Sequence, residues 1–183
     1  MILGITGTIG AGKGTVVEYL VQKGFEHHSV REFLLEEIRA RGLPEHRGSM
    51  RDVANELRQK HHPAHVIETL HGRAQEGGKD SIVESVRTVG EAEFLKAAGA
   101  SIIAIDADRQ ARYDRVVTRG SSTDQISFEQ FVIEEDREMA SSEHWDMNVF
   151  GVMKMADFTI ENNGTEEELH AKIEAILAKV RAA

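Results

Sequence analysis

The stretch Gly7-Thr8-Ile9-Gly10-Ala11-Gly12-Lys13-Gly14-Thr15 sets a lysine behind a glycine-rich turn at the spacing G-x-x-x-x-G-K. That arrangement suits anion capture. Glycines let successive backbone N–H groups converge on a phosphate, a following helix adds the positive end of its dipole, and Lys13 can reach the terminal phosphates of a nucleotide. A glycine-rich corner between a strand and a helix would have no use for the lysine. In the common form of such a loop a Ser or Thr follows the lysine and ligates Mg²⁺. Here Gly14 holds that place and the hydroxyl arrives one residue later, at Thr15. The expected cradle is Gly7, Thr8, Gly10, Ala11, Gly12, Lys13, Gly14 and Thr15, with Thr15 the remaining hydroxyl on the metal side.

Other chemistry-bearing residues recur farther on. Arg112, Arg115 and Arg119 fall at i, i+3 and i+7, which places them on one stripe of a helix. They could neutralise a transferring phosphoryl group or form a solvated face. His61, His62 and His65 invite a metal reading, but Pro63 interrupts them and the chain has no cysteine, so no zinc site is expected. Trp145, Met147, Met153 and Met155 fit packing better than a cofactor site.

The elements that must position these groups follow from apolar patterning. Apolar runs at Ile2–Thr6, Phe25–Ser29, Ser81–Val86, Ser101–Asp106 and Asp157–Ile160 read as strands, and helical segments separate them. The helix after the glycine loop ends at Gly24. Ser49 with Asp52, Ser127 with Gln130 and Thr165 with Glu168 have the spacing of helix caps. About fifty residues of helix, 30–79, lie between the second and third strands, more than a simple crossover needs. They are expected to form an inserted acceptor-binding region, and 112–140, with the polar stretch from Gly120 to Asp124, a lid. The alternation predicts one α/β domain over residues 1–183, a three-layer αβα sandwich around a five-stranded parallel sheet.

Length and composition agree with one domain, since 183 residues suffice for one core and not for two of ordinary size. No apolar run is long enough to span a bilayer. No basic or arginine-rich leader precedes Ile2, so a cytoplasmic protein away from membranes is expected, and the lack of cysteine agrees. A formal charge of −9 disfavours nucleic acid as a partner, while local arginine and lysine clamps can still hold a small nucleotide. The expected state is a monomer or homodimer.

With these residues placed, the chain resembles the P-loop kinases that include nucleoside monophosphate kinases and dephospho-coenzyme A kinases, over nearly its whole length. It is most similar to an adenylate kinase-like or dephospho-coenzyme A kinase-like branch. Gly12-Lys13-Gly14-Thr15 is similar to the adenylate kinase loop, where the metal keeps mainly water and phosphate ligands. Val83-Glu84-Ser85-Val86-Arg87-Thr88-Val89-Gly90-Glu91-Ala92 resembles the family stretch D-G-F-P-R-T-x-x-Q-A, one residue shorter. Arg112 to Arg119, with Glu135-Asp136-Arg137-Glu138, resembles the edges of the family's lid, and Ala156 to Gly164 resembles its last strand and turn.

The resemblance implies ATP and Mg²⁺ as cofactors, with Lys13 and the loop amides on the β- and γ-phosphates. It implies Glu84 as a carboxylate orienting Mg²⁺ through water, the alternative being a partly buried acid paired with Arg87. Arg87 is implied to grip the acceptor phosphate, Arg112, Arg115, Arg119 and Arg137 to serve the lid, and Asn163 and Gly164 to lie near the donor adenine. Two positions depart from the pattern. Leu35 replaces an acceptor-binding arginine, for which Arg31 or Arg39 are the substitutes at hand, and Glu91 replaces the glutamine that reads the acceptor adenine. Glu32 lies near the place of a general-base aspartate in dephospho-coenzyme A kinases, and an exposed acid at a helix start would look the same. The expected activity is phosphoryl transfer from ATP to a small nucleotide, with a nucleoside monophosphate leading. Dephospho-coenzyme A kinase activity, or a regulatory P-loop ATPase acting as an assembly factor, are the alternatives.

Overall fold

A computed structural model describes residues 1–120, 126–139, 141 and 143–182. Five strands, β1 (Ile2–Gly7), β2 (Glu26–Ser29), β3 (Ser81–Glu84), β4 (Ser101–Asp106) and β5 (Phe158–Glu161), pair in parallel in the order β2-β3-β1-β4-β5. The helices are α1 (Lys13–Gln22), α2 (Val30–Ala40), α3 (Arg47–Lys60), α4 (His65–Gly77), α5 (Val89–Ala97), α6 (Arg109–Arg119), α7 (Phe128–Met139), α8 (Val149–Met155) and α9 (Glu166–Ala182).

Successive strand residues face opposite ways, so each apolar strand feeds two cores. Leu3, Ile5, Ile82, Ile103, Ile105 and Ile160 pack against Val16, Val17 and Leu20 of α1 and Leu169, Ile173 and Leu177 of α9. Val83 and Ile102 face the other layer, where Phe33, Ile38, Val53, Leu57, Ile67, Leu70 and Leu95 close the helical side. Helices α2, α3 and α4 occupy the long connection between β2 and β3. Residues Ile5 and Ser29 both register with Glu84, so the ends of β1, β2 and β3 share one edge of the sheet. Ligands of such sheets bind at that carboxyl edge.

Two local expectations change. The cap of α3 is His46, whose Nδ1 accepts from the Ser49 amide at 3.1 Å, while Ser49 lies buried inside the helix. An imidazole nitrogen in extended backbone satisfies the same orphan amide that a serine would. Strand β3 ends at Glu84 because Ser85 turns into the left-handed region, φ 69°. The other two caps form as read: Ser127 Oγ accepts from the Gln130 amide at 3.2 Å, and Thr165 and Glu168 bond reciprocally at 3.3 Å. Residues 121–124 of the expected lid lie outside the described residues.

Candidate active site

The glycine loop leaves β1 and enters α1 with its carbonyls tied back into the protein. Lys13 Nζ donates to the carbonyls of Gly7 and Thr8 at 2.8 and 2.7 Å, Arg112 Nη1 to that of Ile9 at 3.1 Å, and Asn162 Nδ2 to that of Ala11 at 2.8 Å. The Thr8 hydroxyl donates to Asp106 at 2.6 Å. The first amides of α1 have no intrahelical acceptor and stand at the positive end of the helix. With these carbonyls tied back, the amides at the start of α1 are the donors left for an anion. Two glycines are required by the geometry. Gly10 (φ 76°) would drive a Cβ into the Arg112 carbonyl, and Gly12 (φ 99°) would drive one into the Asn162 amide. Gly14 has open space around its missing Cβ.

Around Lys13 gather Arg87, Glu138, Glu84 and Arg112, close enough to act on its charge. Burial, reinforced by the Arg87 guanidinium, lowers Lys13 to about 7, while Glu138 and Glu84 oppose the shift. Glu84, at the end of β3, accepts from the Ser85 hydroxyl at 2.9 Å and pairs with His27 Nε2 at 2.8 Å. Desolvation raises its pKa, but those hydrogen bonds and the nearby charges outweigh it and hold Glu84 below its ordinary value. The carboxylate is therefore ionised and one strand-end away from the loop. The strained Ser85 conformation, costing about 1–3 kcal/mol, is what turns the chain from β3 toward Arg87.

A second group of charges faces the loop from α3 and α7. Glu138 pairs with Arg87 and accepts from Arg47 Nη2 at 3.1 Å, and Arg47 Nη1 also reaches Glu134 at 2.7 Å. Desolvation would raise Glu138, but Arg87, Arg47 and Lys13 hold it low, so α7 places a carboxylate among three cations. Beside it Arg51 donates to Asp146 at 2.6 Å and keeps its Nε and Nη1 buried without a partner among the described residues. Asn55 bonds the same Asp146 at 3.2 Å. Arginines from α3 and the β3–α5 turn thus form one wall, paired with carboxylates from α7 and with Asp146.

Residues 3–146 match the AAA_18 family, described as an AAA domain. The chain belongs to that family. The chain shares 28% identity with a UPF0200 protein of Pyrococcus horikoshii, covering 98% of this chain and 97% of that protein. It shares 32% with a UPF0200/UPF0201 protein of Archaeoglobus fulgidus, covering 93% of this chain and 53% of that longer protein. Among solved structures it is similar to shikimate kinase from Acinetobacter baumannii in complex with shikimate (TM-score 0.63, 18% identity, 97% and 93% of the two chains). It is also similar to a Thermus thermophilus protein (TM-score 0.59, 21% identity, 98% and 97%). The αβα fold around a five-stranded parallel sheet is thus a P-loop kinase-like fold.

Within the AAA_18 domain the expected residues divide. Lys13, Arg87 and Glu84 share one electrostatic environment. Thr15 does not join Glu84: it lines an open groove of about 190 Å³ with Gly12, Arg115, Asn162 and Gly164, on the β5 side of the loop. The expected metal pair thus falls on two surfaces, Thr15 in this groove and Glu84 in the charge cluster around Lys13. Arg112 is not an exposed lid arginine. It is buried, donates from Nε to the Ala107 carbonyl at 2.7 Å, and pairs with Glu135, so it braces the loop against α6 and α7. Arg115 donates to the Asn162 carbonyl at 2.8 Å and leaves Nη1 buried and unpartnered among the described residues. Arg119 and Arg137 are exposed, as is Glu32 in the first turn of α2. Asn163 lies over the next cleft, bonded to the Asp108 amide at 2.8 Å.

Arg31 is exposed and Arg39 pairs with Glu45 on the surface, and neither is among the charges that act on Lys13. Arg47 and Arg51 of α3 do stand at the site. Their spacing, with Asn55 and Arg58 at 47, 51, 55 and 58, is a helical stripe that the sequence offered. Glu91 reads no base. It is fully buried, with Oε1 accepting from Arg58 Nε and Nη2 at 2.9 and 2.7 Å, and Oε2 from the Arg87 and Thr88 amides at 2.8 and 3.1 Å. Glu91 forms a capping box with Thr88 and thereby fixes the backbone of Arg87.

Proposed function

We propose that the protein transfers the γ-phosphate of ATP to a nucleotide-like acceptor, with nucleoside monophosphates the leading class. The observation that carries this reading is the convergence of Arg87, Glu138 and the ionised Glu84 on Lys13 at the glycine loop, with Arg47 bonded to the same Glu138. Phosphoryl transfer asks for in-line positioning and charge neutralisation more than covalent participation, and these are the groups that supply both. Lys13 and the loop amides hold the donor's terminal phosphates. The groove between Thr15, Arg115 and Gly164 takes the nucleoside side, and Arg87 with Arg47 takes the acceptor's phosphate in place of Glu138.

One ionised carboxylate beside the loop fits Mg²⁺, which usually keeps several waters and needs few protein ligands. Glu84 would hold it through that water shell, and the ion would supply neutralisation of the phosphate oxygens. Arg112 positions the loop and Glu91 positions Arg87, so both act through other residues.

The test is an ADP-release assay with ATP and Mg²⁺ against AMP, CMP, UMP, GMP, their deoxy forms, dephospho-coenzyme A and shikimate. A rate increase with one monophosphate supports the reading. A response to dephospho-coenzyme A alone replaces it with that alternative and gives Glu32 the general-base role. A second reading, a regulated ATPase, is favoured by one observation: α7 already fills the arginine wall with Glu138 and Glu134. Slow hydrolysis unmoved by every acceptor would select it.

A further inference from the structure

The α3–α4 corner gathers three groups that nothing in the phosphoryl-transfer reading uses. His62, His65 and Glu68 each present one donor atom, all within 4.8 Å of one another, and His62 Nε2 lies 2.7 Å from Glu68 Oε2. We propose that His62, His65 and Glu68 bind a divalent transition metal, Zn²⁺ in the first instance, at this corner. Two imidazole nitrogens and a carboxylate oxygen are a recurrent zinc donor set, with a water in the fourth position. Donors of tetrahedral Zn²⁺ with bonds near 2.0–2.1 Å stand about 3.3 Å apart, so small side-chain rotations close the triplet.

Pro63, which in the sequence separates the histidines, is what brings them together. The chain turns at His62–His65, with the His65 amide donating to the His62 carbonyl at 3.0 Å, and α4 then begins with Glu68 one turn along. His65 and Glu68 are thereby neighbours on one helix face. His61 stacks on His65 with ring centroids 4.0 Å apart and restrains that ring without joining the triplet. The corner is anchored as well. The Thr88 hydroxyl donates to the Pro63 carbonyl at 3.3 Å, and Gly90 packs so tightly on Pro63 that a Cβ there would come within 2.8 Å of it. A metal at the corner would clip the turn at His62 to the first turn of α4, beside the turn that presents Arg87.

The experiment uses the whole 183-residue chain freed of metal by chelation. Zn²⁺ is titrated by calorimetry and by competition with a chromophoric chelator, and thermal unfolding is followed with and without the ion. The expected result is one site with Kd at or below about 10 μM and a Tm raised by several degrees, as ligand binding to the native state requires. His65→Ala and Glu68→Gln each weaken binding at least about tenfold, whereas His61→Ala leaves it within about threefold. Circular dichroism confirms that these surface variants fold. No stoichiometric binding overturns the proposal. So does binding that survives His62→Ala with His65→Ala, which would mark an adventitious ion only, held elsewhere. The readouts are affinity and unfolding, so the outcome is independent of whether the protein proves to be a kinase.

Discussion

Binding of ATP should draw a proton onto Lys13. Burial and Arg87 hold this lysine at about 7, against an ordinary value of 10.5. A triphosphate brought against its ammonium favours the charged form and returns the pKa toward that ordinary value. At pH 8 a lysine so held is about nine-tenths neutral, so complex formation takes up about 0.9 proton, falling to about 0.1 at pH 6. By pH 8 the nucleotide's own phosphates are deprotonated, so the lysine is isolated in the signal. Calorimetry in two buffers of different ionisation enthalpy measures the uptake directly. Because the ligand prefers the protonated lysine, affinity should also fall by up to about tenfold per pH unit above pH 7. A binding enthalpy independent of buffer at pH 8, or the same uptake in Lys13→Met, would refute the reasoning.

The same lysine links pH to stability. The unfolded chain keeps its Lys13 proton up to the ordinary value of 10.5 while the folded one loses it near 7, so this group adds stability as pH rises above 7 and Lys13→Met should remove that slope. Glu138→Gln should lower the acceptor KM on the order of tenfold, because the acceptor no longer displaces a carboxylate from Arg87 and Arg47. It should also cost about 1–2 kcal/mol in urea unfolding by leaving those part-exposed cations unbalanced; an unchanged KM would remove Glu138 from the site. Glu91→Ala should cost about 3–5 kcal/mol, because it strands the buried Arg58 charge. A loss below about 1 kcal/mol by chemical denaturation would contradict its role as the anchor of α5. Gly12→Ala should weaken ATP binding at least about tenfold through backbone strain, while Gly14→Ala, with open space around it, should not.

Much of this protein was determined by local pattern. The spacing of Gly7 to Lys13 sits between an apolar run and a helical period, so strand, loop and helix are dictated by neighbouring residues, and the loop's position follows. Continuous apolar runs such as Ser101–Asp106 can be buried on both faces only inside a covered parallel sheet, which made the αβα layering readable. The helical stripe of Arg47, Arg51 and Arg58 was equally present in the spacing, but nothing local said that it would turn toward the loop rather than to solvent.

What the tertiary structure decided was the partner of each charge. Glu84 stands beside Arg87 in sequence yet pairs with His27, because β2 registers against β3. Arg112 shares a stripe with Arg115 and Arg119, but Arg112 is the one that Glu135 of α7 and the Ile9 carbonyl claim among the described contacts. Glu91 is one turn into a helix and became a buried anchor because Arg58, thirty-three residues earlier, crosses over it. Pro63 likewise separates three histidines in sequence and folds them into one corner. Period and spacing fix which face of an element a residue occupies, whereas charge pairing depends on which elements cross, and that is settled only when the chain closes on itself.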